Sequence, residues 1–385
     1  MTTPNSLVNK LNQVDRLNII FQVTDRCVLS CRYCFAKGAH RKCKQNGLMD
    51  AELLDAAIRQ SFNTRHAKIA FEWTGGEPFL AGIDFYRQVV KSQQKHAGKE
   101  FTNTVQTSGY LFDRELIDFF VTNRFHISMT IDGTKDIHDF NRPAPRTRPS
   151  LQKILTTRDY IVEKQGSCGA IVTITGKSVG KEGEILDFYR SLGINSFHSN
   201  PYIFFADSVV KDKDIALSNE EYASYFINQF NAWFEKGRKT PTPVIVDYIL
   251  QSISAGAGLA NTLCTFGGRC LTSFIAIVPN GDVYPCPKFT GNQTMRLGNI
   301  GDTAIAELLS DKAPRMEKLI AQRRSAIDKC EKSNCGYLYI CNSGCPYYSF
   351  IAGKGKHIKN RDWLCKGKRM VFQYLEGVIT SLRSQ

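Results

Sequence analysis

The chain has 385 residues, of which 42% are hydrophobic and 22% are charged, and its formal net charge is +14. This length and composition predict a globular protein with more than one domain and exclude an intrinsically disordered chain. No apolar run is long enough to span a membrane, and the N-terminal segment lacks the apolar core of a signal peptide. The sequence therefore predicts a cytoplasmic protein with no membrane partner.

The positive charge indicates attraction to an acidic partner, for which nucleic acid and an acidic peptide are both candidates. The lysines and arginines are scattered, with local runs only at residues 40–44 and 354–359, and no nucleic-acid-binding module accompanies them. We therefore expect no nucleic-acid partner. Most of the charge is expected to lie on a solvated surface.

Short β-rich segments alternate with amphipathic segments of helical length from residue 17 to about residue 236. The sequence predicts six strands, at residues 17–23, 68–73, 101–107, 126–131, 168–174 and 196–200. It predicts a helix after each of them, at residues 50–62, 84–95, 113–123, 150–164, 183–192 and 218–236. Asp50 is the expected N-cap of the first helix, and Ser218 with Glu221 has the spacing of a capping box. The alternation is typical of an α/β protein with a parallel sheet and crossover helices.

The pattern changes near residue 243, because Pro241 and Pro243 end any helix there. We predict one domain at residues 1–243 and a second at residues 244–385. The second domain is predicted to contain a hairpin at residues 274–284, since Asn280-Gly281 is a strong hairpin-turn signal. A short helix at residues 304–309, a cysteine-rich loop region and a C-terminal helix at residues 366–382 are expected to follow.

Thirteen cysteines in a chain without a secretion signal indicate metal binding or redox chemistry rather than disulfides. Three of them, Cys27, Cys31 and Cys34, follow the first predicted strand with the spacing C-x3-C-x2-C. Three thiolates on a four-iron cluster leave one iron open for another ligand. The alternative is a zinc knuckle, but zinc sites are usually closed by a fourth Cys or His.

This spacing resembles the radical SAM superfamily, in which the open iron binds the amino and carboxylate groups of S-adenosylmethionine (SAM). The resemblance implies a partial (β/α)6 TIM barrel with its ligand site at the C-terminal ends of the strands. It also implies that a reduced cluster cleaves SAM to methionine and a 5'-deoxyadenosyl radical that abstracts a hydrogen atom from the substrate. Loss of any one of the three cysteines is then expected to abolish activity.

Polar and glycine residues at the predicted strand ends match what a bound SAM would need. Gly75-Gly76-Glu77-Pro78 resembles the motif that holds the methionine amino group in radical SAM enzymes. By similarity to peptide-modifying members, further contacts are expected near the adenine (Tyr33), the ribose (Ser108, Asp132) and the SAM carboxylate (Thr130, Arg142). The alternative is that these residues only cap turns.

Eight later cysteines resemble the SPASM extension of radical SAM enzymes, which holds two auxiliary [4Fe-4S] clusters. Family analogy assigns four to an inner cluster, namely Cys264, Cys270, Cys286 and Cys345. It assigns four to an outer cluster, namely Cys330, Cys335, Cys341 and Cys365. Four residues separate Cys330 from Cys335 where the family usually has two, which makes the outer set the less typical one. A zinc site in one of the sets is the alternative.

Enzymes with both halves act on peptides or proteins, and several reactions remain open from the sequence. Sulfatase maturases, which generate formylglycine, carry an Asp directly after the hairpin cysteine as a base. This chain has Cys286-Pro287-Lys288 instead, and neither residue replaces a carboxylate. We therefore expect a maturase that couples a side-chain carbon to an aromatic residue, giving a cyclophane. Alternatives are thioether formation, epimerisation, formylglycine generation, a nucleic-acid-modifying enzyme and a non-enzymatic iron-sulfur carrier.

The resemblance implies a ribosomally made precursor peptide as substrate and an electron donor such as flavodoxin or ferredoxin. Many relatives have an N-terminal peptide-recognition module, whereas only a short segment precedes the first predicted strand. We expect the basic excess to attract an acidic leader to the barrel or the SPASM surface. Cys43 and Cys168 are the spare thiols for epimerisation. No general base can be named, since Asp207 and Lys288 are both typical of solvated loop charges.

Overall fold

The computed structural model describes residues 15–36, 47–204, 213–257, 263–266, 268 and 270–384. Its strands are β1 (Arg16–Gln22), β2 (Lys68–Thr74), β3 (Glu100–Thr107), β4 (Phe125–Thr130), β5 (Gly169–Ile174), β6 (Ser196–Pro201), β7 (Thr242–Pro243), β8 (Phe274–Ile277), β9 (Asp282–Tyr284) and β10 (Gly298–Asn299). They form one sheet in the order β10-β9-β8-β1-β2-β3-β4-β5-β6-β7. The pairs from β8 to β7 are parallel, and the β8–β9 and β9–β10 pairs are antiparallel.

The helices lie between these strands and after the last of them. Their bounds are Ala51–Phe62, Gly82–His96, Arg114–Thr122, Lys135–Asn141, Leu151–Gln165, Glu182–Ser191, Asn219–Glu235, Val244–Ala255, Cys270–Ser273, Ile305–Leu308, Pro314–Glu331, Leu338–Cys341, Pro346–Ala352 and Cys365–Arg383. No helix in the described ranges has both the length and the hydropathy needed to cross a membrane. The predicted six strands and six intervening helices are confirmed, each to within two residues at either end.

Alternate residues of the parallel strands face opposite sides of the sheet. On β2, Phe71 and Trp73 are buried beneath the helices, while Glu72 between them lines the cavity enclosed by the sheet. The Phe71 ring meets the Phe62 ring edge-on at 5.6 Å, and the Trp73 ring meets that of Tyr86 at 6.2 Å. Aromatic packing thus attaches the outer helices, and the inner face stays available for polar side chains.

Helix starts follow the capping signals in the sequence. Asp50 accepts a hydrogen bond from the backbone N–H of Leu53 at 2.8 Å. The predicted capping box is present, since Ser218 Oγ accepts from Glu221 N–H at 3.1 Å and Glu221 Oε2 accepts from Ser218 N–H at 2.8 Å. These contacts satisfy backbone donors that the first helical turn leaves free.

The predicted hairpin is confirmed, but it is not separate from the barrel sheet. Strand β8 pairs in parallel with β1, so the sheet continues across the predicted domain boundary. The short strand β7 lies at the other edge and ends at Pro243, where the next helix begins. The boundary at residue 243 therefore stays a prediction.

The prediction of an entirely loop-like region between residues 309 and 366 is wrong. Residues Pro314–Glu331 form an 18-residue helix with proline at its first position. Its buried face includes Leu319, Arg323, Ala326 and Cys330, which recur at helical spacing. Seven charged side chains on the other face obscure that spacing in the sequence.

Candidate active site and iron-sulfur centres

The C-terminal ends of the parallel strands surround a cavity of about 1420 Å³, including its open mouth. The loop after β1 contributes Cys27, Cys31, Tyr33 and Cys34 to its wall. Other strand ends contribute Gly75, Gly76, Ser108, Thr130, Thr173 and Asn200, and Arg142 also reaches the wall. The cysteine-rich half of the chain adds Pro287, Lys288, Tyr347 and Tyr348. The predicted SAM site and the turn after Cys286 thus share one cavity.

The cysteine loop is fixed to the segment that carries Arg142. Ser30 N–H donates to the Pro143 carbonyl oxygen and Arg32 N–H to that of Asn141, both at 2.9 Å. Burial raises the pKa of Cys31 to about 12. Because metals bind thiolates, occupation of this site must release protons.

The two glycines of the Gly-Gly-Glu-Pro turn are required by a close backbone contact. Gly76 N–H donates to the Thr24 carbonyl oxygen at 2.8 Å, and Glu77 N–H donates to that of Arg26 at 2.8 Å. A Cβ added to Gly76 would lie 2.1 Å from the Arg26 carbonyl oxygen. Gly75, with a φ of 142°, has a similar clash with Thr24. The turn therefore supports the residues that lead into Cys27, as well as lining the cavity.

The Glu77 carboxylate already has protein donors on both oxygens. Oε1 accepts from Thr107 Oγ1 at 2.6 Å and from Phe79 N–H at 3.2 Å. Oε2 accepts from the backbone N–H of Ser108 at 3.0 Å and from its hydroxyl. Glu77 has no exposed surface and ties its turn to the end of β3. The predicted bond to the SAM amino group stays a prediction, and it would have to share or replace one of these donors.

Tyr33, Asp132 and Arg142 form a connected network beside the cysteine loop. Arg142 donates to the Tyr33 hydroxyl oxygen at 2.8 Å, and that hydroxyl donates to Asp132 Oδ2 at 2.8 Å. Asp132 Oδ1 accepts from Thr173 N–H at 2.9 Å. Asp132 is fully buried and is not one of the residues that line the cavity, and its predicted contact with the ribose stays a prediction. Its carboxylate is turned toward Tyr33 and β5, and it positions that ring.

The remaining predicted SAM contacts lie on the cavity wall, namely Tyr33, Ser108, Thr130 and Arg142. Thr130 Oγ1 accepts from Gln106 Nε2 at 3.2 Å, so its hydroxyl hydrogen can serve another acceptor. The Arg142 guanidinium brings a buried positive charge next to Cys31 and Tyr33. These groups have the chemistry to bind the carboxylate and hydroxyl groups of SAM.

The four cysteines of the predicted inner set converge from distant parts of the chain. The thiols of Cys264, Cys270 and Cys286 each interact electrostatically with that of Cys345. Cys270 begins the helix before β8, Cys286 follows β9, and Cys345 precedes helix Pro346–Ala352. Burial raises the pKa of Cys286 to about 12. The hairpin therefore brings this set together beside the active-site cavity.

The four cysteines of the predicted outer set line one cavity of about 340 Å³. They are Cys330, Cys335, Cys341 and Cys365, and Arg361, Asp362 and Lys368 also contribute to its wall. The four-residue spacer between Cys330 and Cys335 includes the exposed residues Lys332 to Asn334, so it is accommodated as a surface turn.

Each set supplies four thiols, the number and kind of ligand that one four-iron cluster needs. Within the described ranges, no three His, Cys, Asp or Glu side chains are close enough to bind one metal ion. A zinc ion needs its sulfur ligands at about 2.3 Å, whereas a [4Fe-4S] cluster distributes its thiolates over four irons.

Three further ionisable groups lie in the barrel interior. Burial alone would lower the pKa of Lys288, but the thiols of Cys345, Cys264 and Cys286 raise it, and the net shift is upward. Burial lowers the pKa of His198 to about 4, so the imidazole is neutral at physiological pH. Burial raises the pKa of Glu72, which sequence reasoning missed because a single polar residue in a strand carries no motif.

The spare thiols and the other proposed base lie elsewhere. Cys168 is buried beside the Ile127 carbonyl oxygen at 3.8 Å and does not line the active-site cavity. Burial raises its pKa to about 12. Cys43 and Asp207 lie outside the described residues. Lys288, in contrast, lines the active-site cavity, where its side chain is half-buried.

Comparisons with known proteins agree with this architecture. Residues 21–189 match the radical SAM superfamily and residues 264–336 match the SPASM iron-sulfur cluster-binding domain. The cysteine-type anaerobic sulfatase-maturating enzyme of Clostridium perfringens is 25% identical over 337 residues, which cover 85% of this chain and 88% of that one. The serine-type enzyme of Klebsiella aerogenes is 24% identical over 365 residues, or 93% and 84% of the two chains.

Solved structures show the same fold at low identity. Native anSMEcpe with bound AdoMet and Cp18Cys peptide has a TM-score of 0.81 and 22% identity, with 95% of this chain and 98% of that chain covered. Streptococcus suis SuiB bound to precursor peptide SuiA has a TM-score of 0.65 and 17% identity, with coverages of 94% and 79%. The chain therefore belongs to the radical SAM enzymes that carry a C-terminal SPASM domain, whose cofactors are SAM and [4Fe-4S] clusters.

Proposed function

We propose that this enzyme modifies a ribosomally made peptide by removing a hydrogen atom from a side-chain carbon. The observation that carries the proposal is the shared cavity, in which Cys31 and Arg142 face the same space as Lys288 and Tyr347. When bound, a reduced cluster and SAM supply a 5'-deoxyadenosyl radical, which is the species able to remove such a hydrogen. Sulfatase-maturating relatives and the peptide-bound structural neighbours support a peptide substrate.

The proposed roles of the chain's own residues follow from their positions. Cys27, Cys31 and Cys34 would hold the SAM-binding cluster, and the inner and outer cysteine sets would each hold an auxiliary cluster. Arg142 and Thr130 would bind the SAM carboxylate, Ser108 would bind the ribose, and Tyr33 would flank the adenine. The barrel wall would exclude water from the reactive centre.

Cyclophane formation is the first candidate reaction. The position after Cys286 holds Pro287 and then Lys288, and both line the cavity. A cation in place of a carboxylate disfavours base-assisted oxidation of Ser or Cys. Coupling of a side-chain carbon radical to an aromatic ring would instead need one further electron to leave, for which the inner cluster would be the acceptor, and the ring hydrogen would leave as a proton as the ring regains aromaticity. The positive charge of Lys288 beside this set suits an electron acceptor.

Formylglycine generation is the second candidate, and a specific observation favours it. Among the described cavity-lining residues, Glu72 is the one carboxylate, and its raised pKa suits a general base. The curated relatives that cover most of the chain are named as sulfatase-maturating enzymes. Thioether formation stays an alternative. Epimerisation is less favoured, since Cys168 lies away from the cavity.

An acidic leader is proposed to bind a basic surface of the SPASM half. Residues 312–361 contain eleven lysines and arginines but three acidic residues, so they carry more than half of the net charge. Arg315, Lys318 and Lys356 line a cavity of about 440 Å³ together with the buried apolar side chains of Met295 and Leu319. Within the described ranges, none of these three cations forms an ion pair with a carboxylate.

Affinity for an acidic leader peptide should fall with added salt and in Lys318→Glu, but not in the exposed control Lys91→Glu. Salt-independent binding would contradict this part of the proposal. Tighter binding of RNA than of the peptide would indicate a nucleic-acid partner instead.

Mass spectrometry of the short peptide encoded beside the gene, co-expressed with the enzyme, tests the reaction. Loss of two hydrogens, with fragmentation suppressed across a segment that includes an aromatic residue, would support the cyclophane. Loss of two hydrogens with a new aldehyde at Ser, or conversion of Cys to an aldehyde, would establish formylglycine chemistry. Deuterium uptake from solvent without a change in bonding would indicate epimerisation. A protein that never cleaves SAM would be an iron-sulfur carrier.

A further inference from the structure

A lysine lies beside each of the two auxiliary cysteine sets, half-buried in the case of Lys288 and buried in the case of Lys368. Lys288 belongs to the turn that follows Cys286 in the inner set, and Lys368 lines the cavity of the outer set. Tyr348 lies between the two, with its ring centre 5.0 Å from Lys288 Nζ and 5.9 Å from Lys368 Nζ. The two lysines differ in what neutralises their charge.

Lys288 has aromatic and thiol neighbours. Its charge interacts with the thiols of Cys345, Cys264 and Cys286. The Tyr347 ring centre is 5.5 Å from its Nζ. No ion pair joins Lys288 to a carboxylate in the part of the chain that the structure describes. Aromatic faces stabilise a cation without cancelling its charge, so Lys288 adds a positive charge beside the inner set, where Arg323 also acts on Cys270 and Glu72 on Cys264.

Lys368 is paired with a carboxylate. Its Nζ lies 2.7 Å from Asp362 Oδ2, and the side chains are 1% and 2% exposed. Asp362 Oδ2 also accepts from Cys345 N–H at 2.8 Å, and Oδ1 accepts from Leu364 N–H at 2.7 Å. The pair itself therefore adds almost no net charge beside the outer set, whose cavity is also lined by Arg361 and Arg369.

We propose that Lys288 raises the reduction potential of the inner auxiliary cluster, whereas the Lys368–Asp362 pair leaves that of the outer cluster nearly unchanged. One-electron reduction adds one negative charge to a cluster, and net charge nearby is a main determinant of its potential. A fixed cation in a poorly solvated site favours the reduced form. The inner cluster, which borders the peptide cavity, is thereby a better electron acceptor than it would be without Lys288. Lys288 acts on the potential of this cluster through its charge.

The test uses the Cys27→Ala/Cys31→Ala/Cys34→Ala chain, which retains only the two auxiliary sets, reconstituted with iron and sulfide. Stepwise reduction by dithionite is followed by electron paramagnetic resonance in the absence of peptide. Lys288→Gln should shift the reduction equilibrium of one cluster at least tenfold toward the oxidised form, which is a fall of about 59 mV. Lys288→Arg should stay close to the parent chain, and the second cluster should not move.

The matched control is the double variant Asp362→Asn/Lys368→Gln, which replaces an ion pair without net charge by two neutral side chains. It should shift the reduction potential of the outer cluster by less than Lys288→Gln shifts that of the inner cluster. If Lys288→Gln binds less iron than the parent chain, Lys288→Met is used as a second neutral variant. Neutral variants with full iron content and unchanged potentials would overturn the proposal, as would an equal shift in the paired control. Because no peptide is present, failure of the proposed peptide chemistry would leave this result unaffected.

Discussion

Arg323 fixes the loop between the two auxiliary cysteine sets, and replacing it tests how the SPASM half is stabilised. Its guanidinium donates to the carbonyl oxygens of Asn342, Ser343 and Gly344 at 2.5, 3.1 and 2.7 Å. These three residues have φ values of 48°, 62° and 72°, which are unfavourable for residues other than glycine. Arg323 is 1% exposed, so water cannot take over the bonds.

The Arg323→Met variant should lose about 4 kcal/mol of unfolding free energy, because each charge-assisted bond contributes roughly 1.5–3 kcal/mol and part is recovered by relaxation. Urea unfolding under anaerobic conditions, followed by circular dichroism, measures the change. The iron content should fall as well, since Cys341 and Cys345 flank the loop. The exposed neighbour provides the control Arg324→Met, for which we expect a change within about 0.5 kcal/mol. Equal unfolding free energies for Arg323→Met and Arg324→Met would refute this explanation of how the loop is stabilised.

Three further predictions concern the active site. Gly76→Ala should lower SAM affinity at least about tenfold through the clash with the Arg26 carbonyl oxygen. Gly98→Ala, whose added Cβ would meet no neighbour, should leave the affinity unchanged, and calorimetry measures SAM binding to both variants. Tyr33→Phe should weaken SAM binding by about 1–3 kcal/mol, since Asp132 and Arg142 lose a shared partner, and equal affinities would argue against the network. Burial lowers the pKa of His138 to about 3, whereas its value in the unfolded chain is near 6.5. The unfolded state therefore binds a proton at this residue more readily than the folded state, and the protein loses stability as pH falls through this range. His138→Gln should therefore lose about 2 kcal/mol less stability than the parent between pH 7 and pH 5 in urea titrations, and parallel pH profiles would contradict this.

The regular part of the barrel was predictable because local signals agree with each other. Each βα unit combines a short apolar strand with an amphipathic helix, and caps such as Asp50 and Ser218 mark where helices begin. The cysteine sets were also predictable as groups. Their spacing carries the signal of cluster binding, independent of the fold between them.

Long-range geometry was not predictable in the same way. The parallel pairing of β8 with β1 joins residues more than 250 positions apart, and no local pattern specifies it. The hydrogen bond between Asp132 and Tyr33 likewise joins residues 99 positions apart. Lys288 reads as a loop charge in the sequence, and only the folded hairpin places it among thiols and tyrosine rings.

Transfer of a labelled hydrogen tests the central claim most directly. The reduced, fully reconstituted enzyme is incubated with SAM and a precursor peptide deuterated at its side-chain carbons. The masses of 5'-deoxyadenosine and of the peptide are then measured by mass spectrometry. The account predicts one deuterium in 5'-deoxyadenosine for each peptide that is modified. Unlabelled 5'-deoxyadenosine together with a peptide of unchanged mass would contradict it.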